Sequence, residues 1–279
     1  MAEGEPLLDM RALTKVLPLR ASADILELIE GFGPSATGTL LFGGEGALHV
    51  ELGQICWASA PGMRRRLTSR LRERSQRFPA AEALAADLAW CRNSDTPMGE
   101  HLVRNKSVSA FHLRACLREH AAEALTLIAA AGHAPSAWVE HKEPRYDERF
   151  VFSTAELQAA VVELGAPIDA RTIRRELRRY MDFGATGVVL IRADDDARAV
   201  PVAIVNGRRL RLTKLTTQLA WAAPTVERPP SIEPGRPIAS GIEPDGSLKL
   251  AWGSAGLLFL VGGLGQGSFD RTLARLARG

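Results

Sequence analysis

The sequence is poor in cysteine, and its three cysteines, Cys56, Cys91 and Cys116, include no Cys-x-x-Cys pair. An odd number without close spacing argues against a disulfide framework and against a zinc ribbon. Long apolar runs are also missing, because the longest, 255–265, is too short to cross a bilayer and is interrupted by glycines. The acidic N-terminus has no signal-peptide core. We therefore expect a cytoplasmic protein without a membrane span.

Catalytic patterns are absent from the sequence too. It has no Gly-x-Ser-x-Gly elbow, His-Glu-x-x-His motif or Cys–His dyad, so we expect no enzymatic activity, no cofactor and no metal. His112, Cys116 and His120 recur every four residues, but the outer two lie about 12 Å apart on a helix, too far to share one ion. The turn 262–268 resembles a phosphate loop without the Walker lysine, and Ser268 capping the next helix is the simpler interpretation. The Asp run 194–196 lacks the spacing of a calcium loop and predicts a hairpin turn.

The composition is that of a globular protein with a substantial core. Apolar residues make up 46% of the 279 residues and the mean hydropathy is −0.04, so one large domain or two ordinary ones are expected. Residues 165–279 hold 17 Lys/Arg and 11 Asp/Glu, net +6, whereas residues 1–164 hold 18 and 21, net −3. Gly165-Ala166-Pro167 lies at this charge boundary and predicts the linker between two domains. Only five of the 35 basic residues are lysine, a bias typical of GC-rich bacterial genomes.

In the first half, residues 1–17 predict a flexible leader, and glycine turns separate three short strands. The predicted helices cover 18–32, 62–76, 79–91, 97–105, a segment from Ser107 or Ser109 to 131, and 153–164. The predicted strands cover 39–42, 47–52, 55–60, 138–141 and 150–152. We expect helix 79–91 to turn Ala83, Leu84, Leu88 and Cys91 inward. Ser153 with Glu156 three residues later predicts a capping box.

Several motifs of this half occur in a specific order. A helix with Leu26-Glu27-Leu28-Ile29-Glu30 precedes Thr37-Gly38-Thr39-Leu40, and a strand that contains Gly53-Gln54-Ile55-Cys56-Trp57-Ala58 follows. Met98-Gly99-Glu100-His101-Leu102-Val103 then leads into a long helix. Over about 18–163 the chain resembles the PATAN domain, whose members carry a "TGxL" strand, an "xxGxIvxA" strand and an "lGexLv" helical element. The resemblance implies a regulatory or protein-contact module of bacterial signalling proteins, with no catalytic residues to transfer.

The second half predicts the element order α-β-β-α-β-β-β-α. The predicted helices cover 169–182, 212–222 and 268–278, and the predicted strands cover 186–192, 199–206, 237–243, 247–253 and 255–261. With the stretches 184–191 and 256–261, this order resembles the roadblock fold over about 167–279. A long Pro-rich loop at 224–237 and a short last helix depart from that pattern. The resemblance implies self-association, and platforms of this kind bind small GTPases.

Five arginines form one stripe on the first helix of this half, at i, i+3, i+4, i+7 and i+8. They are Arg171, Arg174, Arg175, Arg178 and Arg179. The stripe fits a solvated helix face, a docking surface for an acidic partner, or a phosphate-binding surface. Arg208 and Arg209 are expected to extend the patch, and the basic helix over 64–74 offers a second candidate surface.

The sequence thus predicts an α+β protein of two domains, PATAN-like over 18–164 and roadblock-like, an α-β-β-α-β-β-β-α sandwich, over 167–279. We expect a non-enzymatic cytoplasmic signalling adaptor or scaffold that forms a homodimer. Its partner would be a protein, such as a small GTPase in polarity or motility. The alternative is a transcription-linked regulator that binds nucleic acid through the Arg-rich helices.

Overall fold

The computed structural model describes residues 18–144, 146–165, 169–181, 183–193, 198–208, 210–215, 217–218, 239–254 and 257–277. These residues form helices and two antiparallel sheets, which confirms the α+β class. The predicted leader 1–17, the Asp run 194–196, the Pro-rich loop 224–237 and the linker residues 166–167 lie outside the described residues.

The helices and strands agree closely with the predicted ones. The helices are α1 (Pro18–Gly31), α2 (Leu67–Arg74), α3 (Ala81–Asn93), α4 (Met98–Arg104), α5 (Ala110–Ala131), α6 (Thr154–Gly165), α7 (Ala170–Arg179) and α8 (Gln266–Ala277). The strands are β1 (Gly38–Phe42), β2 (Gly46–Glu51), β3 (Gln54–Ser59), β4 (Pro135–Glu140), β5 (Thr186–Ala193), β6 (Arg198–Val205), β7 (Ala239–Ile242), β8 (Leu248–Ser254) and β9 (Leu257–Leu264). Residues 212–215 and 217–218 are also helical. The strand predicted at 150–152 is wrong, because Glu148–Phe150 forms a 3-10 turn and Phe152 makes only a single bridge to Ile55.

The chain forms two compact units. The continuous unit is Leu28–Phe152, and the discontinuous unit combines Met1–Glu27 with Ser153–Gly279, so the boundary falls inside α1. These limits differ from the predicted domain limits, because α6 packs on β6 rather than ending the first unit. Ser22 of α1 donates a hydrogen bond to Gln158 of α6 at 3.1 Å, which joins the two segments of the discontinuous unit.

The sheet of the continuous unit has the order β3-β2-β1-β4, with every neighbouring pair antiparallel. Glu51 pairs with Gln54 across a two-residue turn in which Leu52 and Gly53 both have positive φ, 49° and 69°. Such a turn matches the right-handed twist of the flanking strands. A side chain at Gly53 would meet the carbonyl oxygen of Gly33 at 2.8 Å, so this position needs glycine for space as well as for conformation.

Helices α2 to α5 belong to the same unit, and α2, α4 and α5 contribute to one apolar cluster. Its buried members are Leu71, Leu102, Val108, Leu113, Cys116 and Phe150. Ser109 caps α5 by accepting the His112 N–H, which confirms one of the two predicted caps. Helix α3 buries Leu84 and Cys91, whereas Ala83 is exposed, contrary to the expectation that it faces inward, and Leu88 is partly covered. The reason is that α3 packs mainly against α4 and therefore covers a narrow stripe.

The sheet of the discontinuous unit has the order β6-β5-β9-β8-β7 and is also antiparallel throughout. Helix α6 is buried over most of its length, as expected for a helix that is apolar nearly all round. The predicted capping box is confirmed, since Ser153 accepts the Glu156 N–H at 3.1 Å and Glu156 accepts the Ser153 N–H at 3.2 Å. The close approach of α7 to β5 depends on Gly187, whose α-carbon faces Leu177.

Candidate docking surface

Helix α7 carries the arginine stripe, and its ends are fixed by specific contacts. Asp169 caps the helix by accepting the Thr172 N–H at 3.0 Å. At the other end, the hydroxyl of Thr272 donates to the Tyr180 carbonyl at 3.0 Å and the Arg275 guanidinium donates to the Arg179 carbonyl at 3.1 Å. Side chains of α8 thus satisfy carbonyls that the end of α7 leaves without intrahelical partners.

The five arginines of the stripe are not equivalent. Arg174 donates to both carboxylate oxygens of Glu163 on α6, at 3.1 and 3.0 Å, and is largely covered. Arg179 pairs with Glu176 one turn earlier at 2.7 Å. The other three, Arg171, Arg175 and Arg178, are exposed and form no ion pair with a described residue. The stripe therefore presents three exposed guanidinium groups without an ion-pair partner among the described residues, whereas Arg179 is exposed but paired and Arg174 is both paired and largely covered.

An exposed apolar residue follows α7 in the chain. Phe183 follows the C-terminal end of α7, and its side chain is fully exposed. Tyr180, by contrast, turns inward and makes an edge-on contact with Trp252, with ring centroids 5.2 Å apart. An exposed phenylalanine that follows an arginine-rich helix supplies both residue types that are enriched at protein interfaces.

The electrostatic effect of the stripe is seen at the helix start. Hydrogen bonds from the Thr172 hydroxyl and backbone lower the pKa of Asp169, and the positive charge of Arg175 lowers it further. Asp169 is solvated, so it caps the helix without removing the charge of the exposed face.

Arg208, which the sequence predicts to extend the stripe, is found at a cavity of the same unit. It lines a cavity of about 460 Å³ together with Lys214, Lys249 and Thr186. Successive strand residues point to opposite faces of a sheet. Because Gly187 faces α7, its neighbour Thr186 and this cavity lie on the other face. Arg209 lies outside the described residues.

The second basic helix, α2, is neutralised in large part by α5. Arg70 pairs with Glu119 at 3.3 Å and also with Glu123, and Arg74 pairs with Glu119 at 2.5 Å. Residues 119 and 123 are one helical turn apart, so both carboxylates face α2. Sequence reasoning missed these partners, although two glutamates at this spacing on the longest helix were a usable signal.

The other clusters considered from the sequence do not form sites among the residues that the structure describes. His112 is half-buried near the start of α5, and His120 is buried against Trp57 with ring centroids 4.6 Å apart. Burial raises the pKa of the Cys116 thiol, as expected for a core cysteine. No group of three or more metal-ligating side chains occurs in the described part of the chain. Helix α8 begins at Gln266, so Ser268 lies inside the helix and is not its cap.

Among the described helices, none is long and apolar enough to cross a membrane. The chain matches no family model, no curated protein and no solved structure.

Proposed function

We propose that this protein is a non-enzymatic signalling adaptor that docks an acidic protein surface through Arg171, Arg175 and Arg178, with Phe183 as an apolar anchor. The observation that carries the proposal is that two arginines of the stripe form ion pairs within the unit, whereas Arg171, Arg175 and Arg178 are exposed without such a pair among the described residues. Three guanidinium groups remain in solvent on one face of a helix that is fixed at both ends. Exposed charges of one sign accelerate association with a complementary partner, and a buried aromatic supplies affinity.

The resemblances to PATAN and roadblock modules support a more specific version of the proposal. In that version the adaptor works in the bacterial cytoplasm, self-associates through the discontinuous unit, and binds a small GTPase in polarity or motility. The described element order of that unit, with two strands after α7 and three before α8, supports the roadblock resemblance.

A protein partner fits the surface better than nucleic acid does. Affinity for DNA depends on the number of phosphates neutralised, with a slope of about −0.9 per phosphate in a plot of log affinity against log salt. The four exposed arginines on α7, which include Arg179, would give a slope of about −3.6 at most, which corresponds to weak binding. In addition, Arg70 and Arg74 of the other basic helix are engaged with Glu119 and Glu123.

The test compares two triple variants with the same change in net charge. Arg171→Glu/Arg175→Glu/Arg178→Glu reverses the exposed stripe. Control substitutions to Glu alter three exposed arginines of the continuous unit: Arg66, Arg77 and Arg104. The wild-type chain is first used to isolate a partner from a bacterial lysate, and the purified partner is then titrated against all three proteins.

We expect the stripe variant to bind the purified partner about 100-fold more weakly, because three attractive contacts become repulsive at roughly 1 kcal/mol each. The control variant should bind within a factor of about three of wild type. Equal losses in both variants would mean that net charge alone governs binding. A parallel anisotropy titration with duplex DNA at several salt concentrations tests the alternative. Micromolar DNA binding that only the stripe variant loses would replace the adaptor with the nucleic-acid function.

A further inference from the structure

The continuous unit contains an apolar cavity of about 260 Å³ that the proposed docking function does not use. Its walls come from β3 and from all four helices α2 to α5, and include Trp57, Leu71, Leu84, Met98 and Leu113. The lining is almost entirely apolar, with Glu100, Thr68 and the Tyr146 hydroxyl as the main polar groups. Sites for small molecules are typically concave and mostly apolar, with only a few polar groups.

A larger and more polar cavity of about 1030 Å³ adjoins the apolar one. Five residues line both cavities: Cys56, Leu88, Pro97, Met98 and Tyr146. The larger cavity also exposes charged and imidazole groups, among them His49, Arg92, Lys142 and Glu143. The hydroxyl of Thr39 lies 3.0 Å from His49 Nδ1 and 3.1 Å from His141 Nε2, which holds the two imidazoles in place.

One wall shared by the two cavities belongs to a weakly held helix. Leu88 of α3 lines both of them, yet it is 37% exposed. Helix α3 buries only Leu84 and Cys91 among its described residues. Elements with few buried apolar contacts open locally at low free-energy cost. Opening of α3 therefore provides an entry path to the apolar cavity without unfolding the sheet.

We infer that these two adjoining cavities form a binding site for an amphipathic small molecule. Its apolar part, a ring or a short alkyl chain, occupies the inner cavity, and its polar head lies in the wider one. The size fits this occupant, because a Leu/Ile/Phe-lined cavity of about 150 Å³ is enough for benzene. A partner helix fits less well, since docked helices place several anchors along an open groove. Here the space is a partly open recess with one strand and four helices around it, not a groove along a single helix face.

The experiment measures binding of an n-alkyl carboxylate series, butanoate to dodecanoate, to the full-length protein by calorimetry below micelle formation. The matching 1-alkanols test what the head group contributes. Each added CH₂ that enters the cavity should tighten binding about fourfold, and the gain should stop at the chain length that fills it. Absence of binding by every member of both series would overturn the inference. So would a gain that continues to the longest chain, because that is the behaviour of non-specific adsorption.

Two variants and a control show where the ligand binds. Leu88→Glu places a charge at the wall that the two cavities share. It should weaken binding of the tightest-binding alkyl chain by at least tenfold. Phe111→Glu is the matched control, since Phe111 is an exposed apolar residue of the same unit that lines neither cavity. Leu117→Phe reduces the volume of the inner cavity. The gain in affinity should then stop at a shorter alkyl chain, while the affinity for the shortest chains should be unchanged. Equal binding by Leu88→Glu and wild type would exclude this site.

Amide hydrogen exchange distinguishes ligand binding at this site from a general change in the stability of the unit. The bound ligand should slow amide exchange in α3 more than in α5, because α3 closes the cavity. Uniform protection of the whole unit, or none in α3, would contradict the proposed location. The result is independent of the stripe variant used for the docking function, so the two proposals can fail separately.

Discussion

Replacing Arg70 with methionine should destabilise the continuous unit far more than the same replacement of Arg65 on the neighbouring turn. The Arg70 side chain is 11% exposed and pairs with Glu119 and Glu123, the latter 15% exposed. Removing one member of a buried pair leaves an uncompensated charge and costs about 3–5 kcal/mol. We expect the lower end of this range. The pair keeps some contact with solvent, and Arg70 Nε has no partner in the part of the chain that the structure describes.

Arg65 is the internal control for this prediction. Its pair with Glu73 has a separation of 3.0 Å, but the Arg65 side chain is 58% exposed. Exposed pairs contribute about 0.2–1 kcal/mol. Urea unfolding followed by tryptophan fluorescence should therefore give a loss of about 3 kcal/mol for Arg70→Met and less than about 1 kcal/mol for Arg65→Met. High salt should abolish the stability loss of Arg65→Met and leave most of the loss of Arg70→Met.

A double-mutant cycle completes the test. In Arg70→Met/Glu123→Gln the unpaired carboxylate is gone, so part of the lost stability should return. Similar small losses for Arg70→Met and Arg65→Met would refute the reasoning. Helix α2 would then be held by apolar contacts alone, and its arginines would again be candidates for partner binding.

Two further predictions concern the pH dependence of stability and the packing of the second sheet. Burial, and then the charge of Arg70, lower the pKa of His120, although Glu123 opposes this. Below about pH 6.5 the unfolded chain then binds more protons than the folded one. The free energy of unfolding should therefore decrease as the pH is lowered, by up to about 1.4 kcal/mol per pH unit. His120→Leu should flatten this dependence in urea titrations from pH 7.5 to 5, and an unchanged slope would contradict it. Gly187→Ala should cost about 1–3 kcal/mol, because the added methyl would meet Leu177 at 2.9 Å and Met181 still closer. Gly31→Ala is the control, because the added methyl there would meet no other side chain or distant backbone atom within 4 Å. It should leave the thermal midpoint nearly unchanged.

Much of the local structure could be predicted because short-range signals specify it. The glycine turns placed β1 to β3 within one residue at each end, and the Ser153–Glu156 spacing identified the start of α6. Leu52 shows the limit of such signals, since it was predicted as the last residue of strand 47–52 but lies in the turn Leu52-Gly53. Nothing in the local sequence marks a leucine for positive φ, and the pairing of the two strands imposes it.

The candidate surface was less predictable because it depends on contacts between distant residues. The periodicity placed the five arginines on one helix, but it could not show that Glu163 of α6 pairs with Arg174. Arg208 was expected in the same patch because it is basic, and its local sequence does not show that it lines a cavity together with Thr186. Phe183 was overlooked, since an exposed phenylalanine in a turn has the same local pattern as a buried one.

The discontinuous unit has a consequence for protein synthesis. Ser22 of α1 leaves the ribosome well before Gln158, its partner on α6, has been made, and before the five-stranded sheet exists. At about 5–20 residues per second, the wait is on the order of ten seconds. Residues 28–152 contain their own sheet and helices, so they can fold during this interval. Helix α1 is thus an early segment that must stay available until the last third of the chain emerges, and mutations in it should impair maturation at a late step.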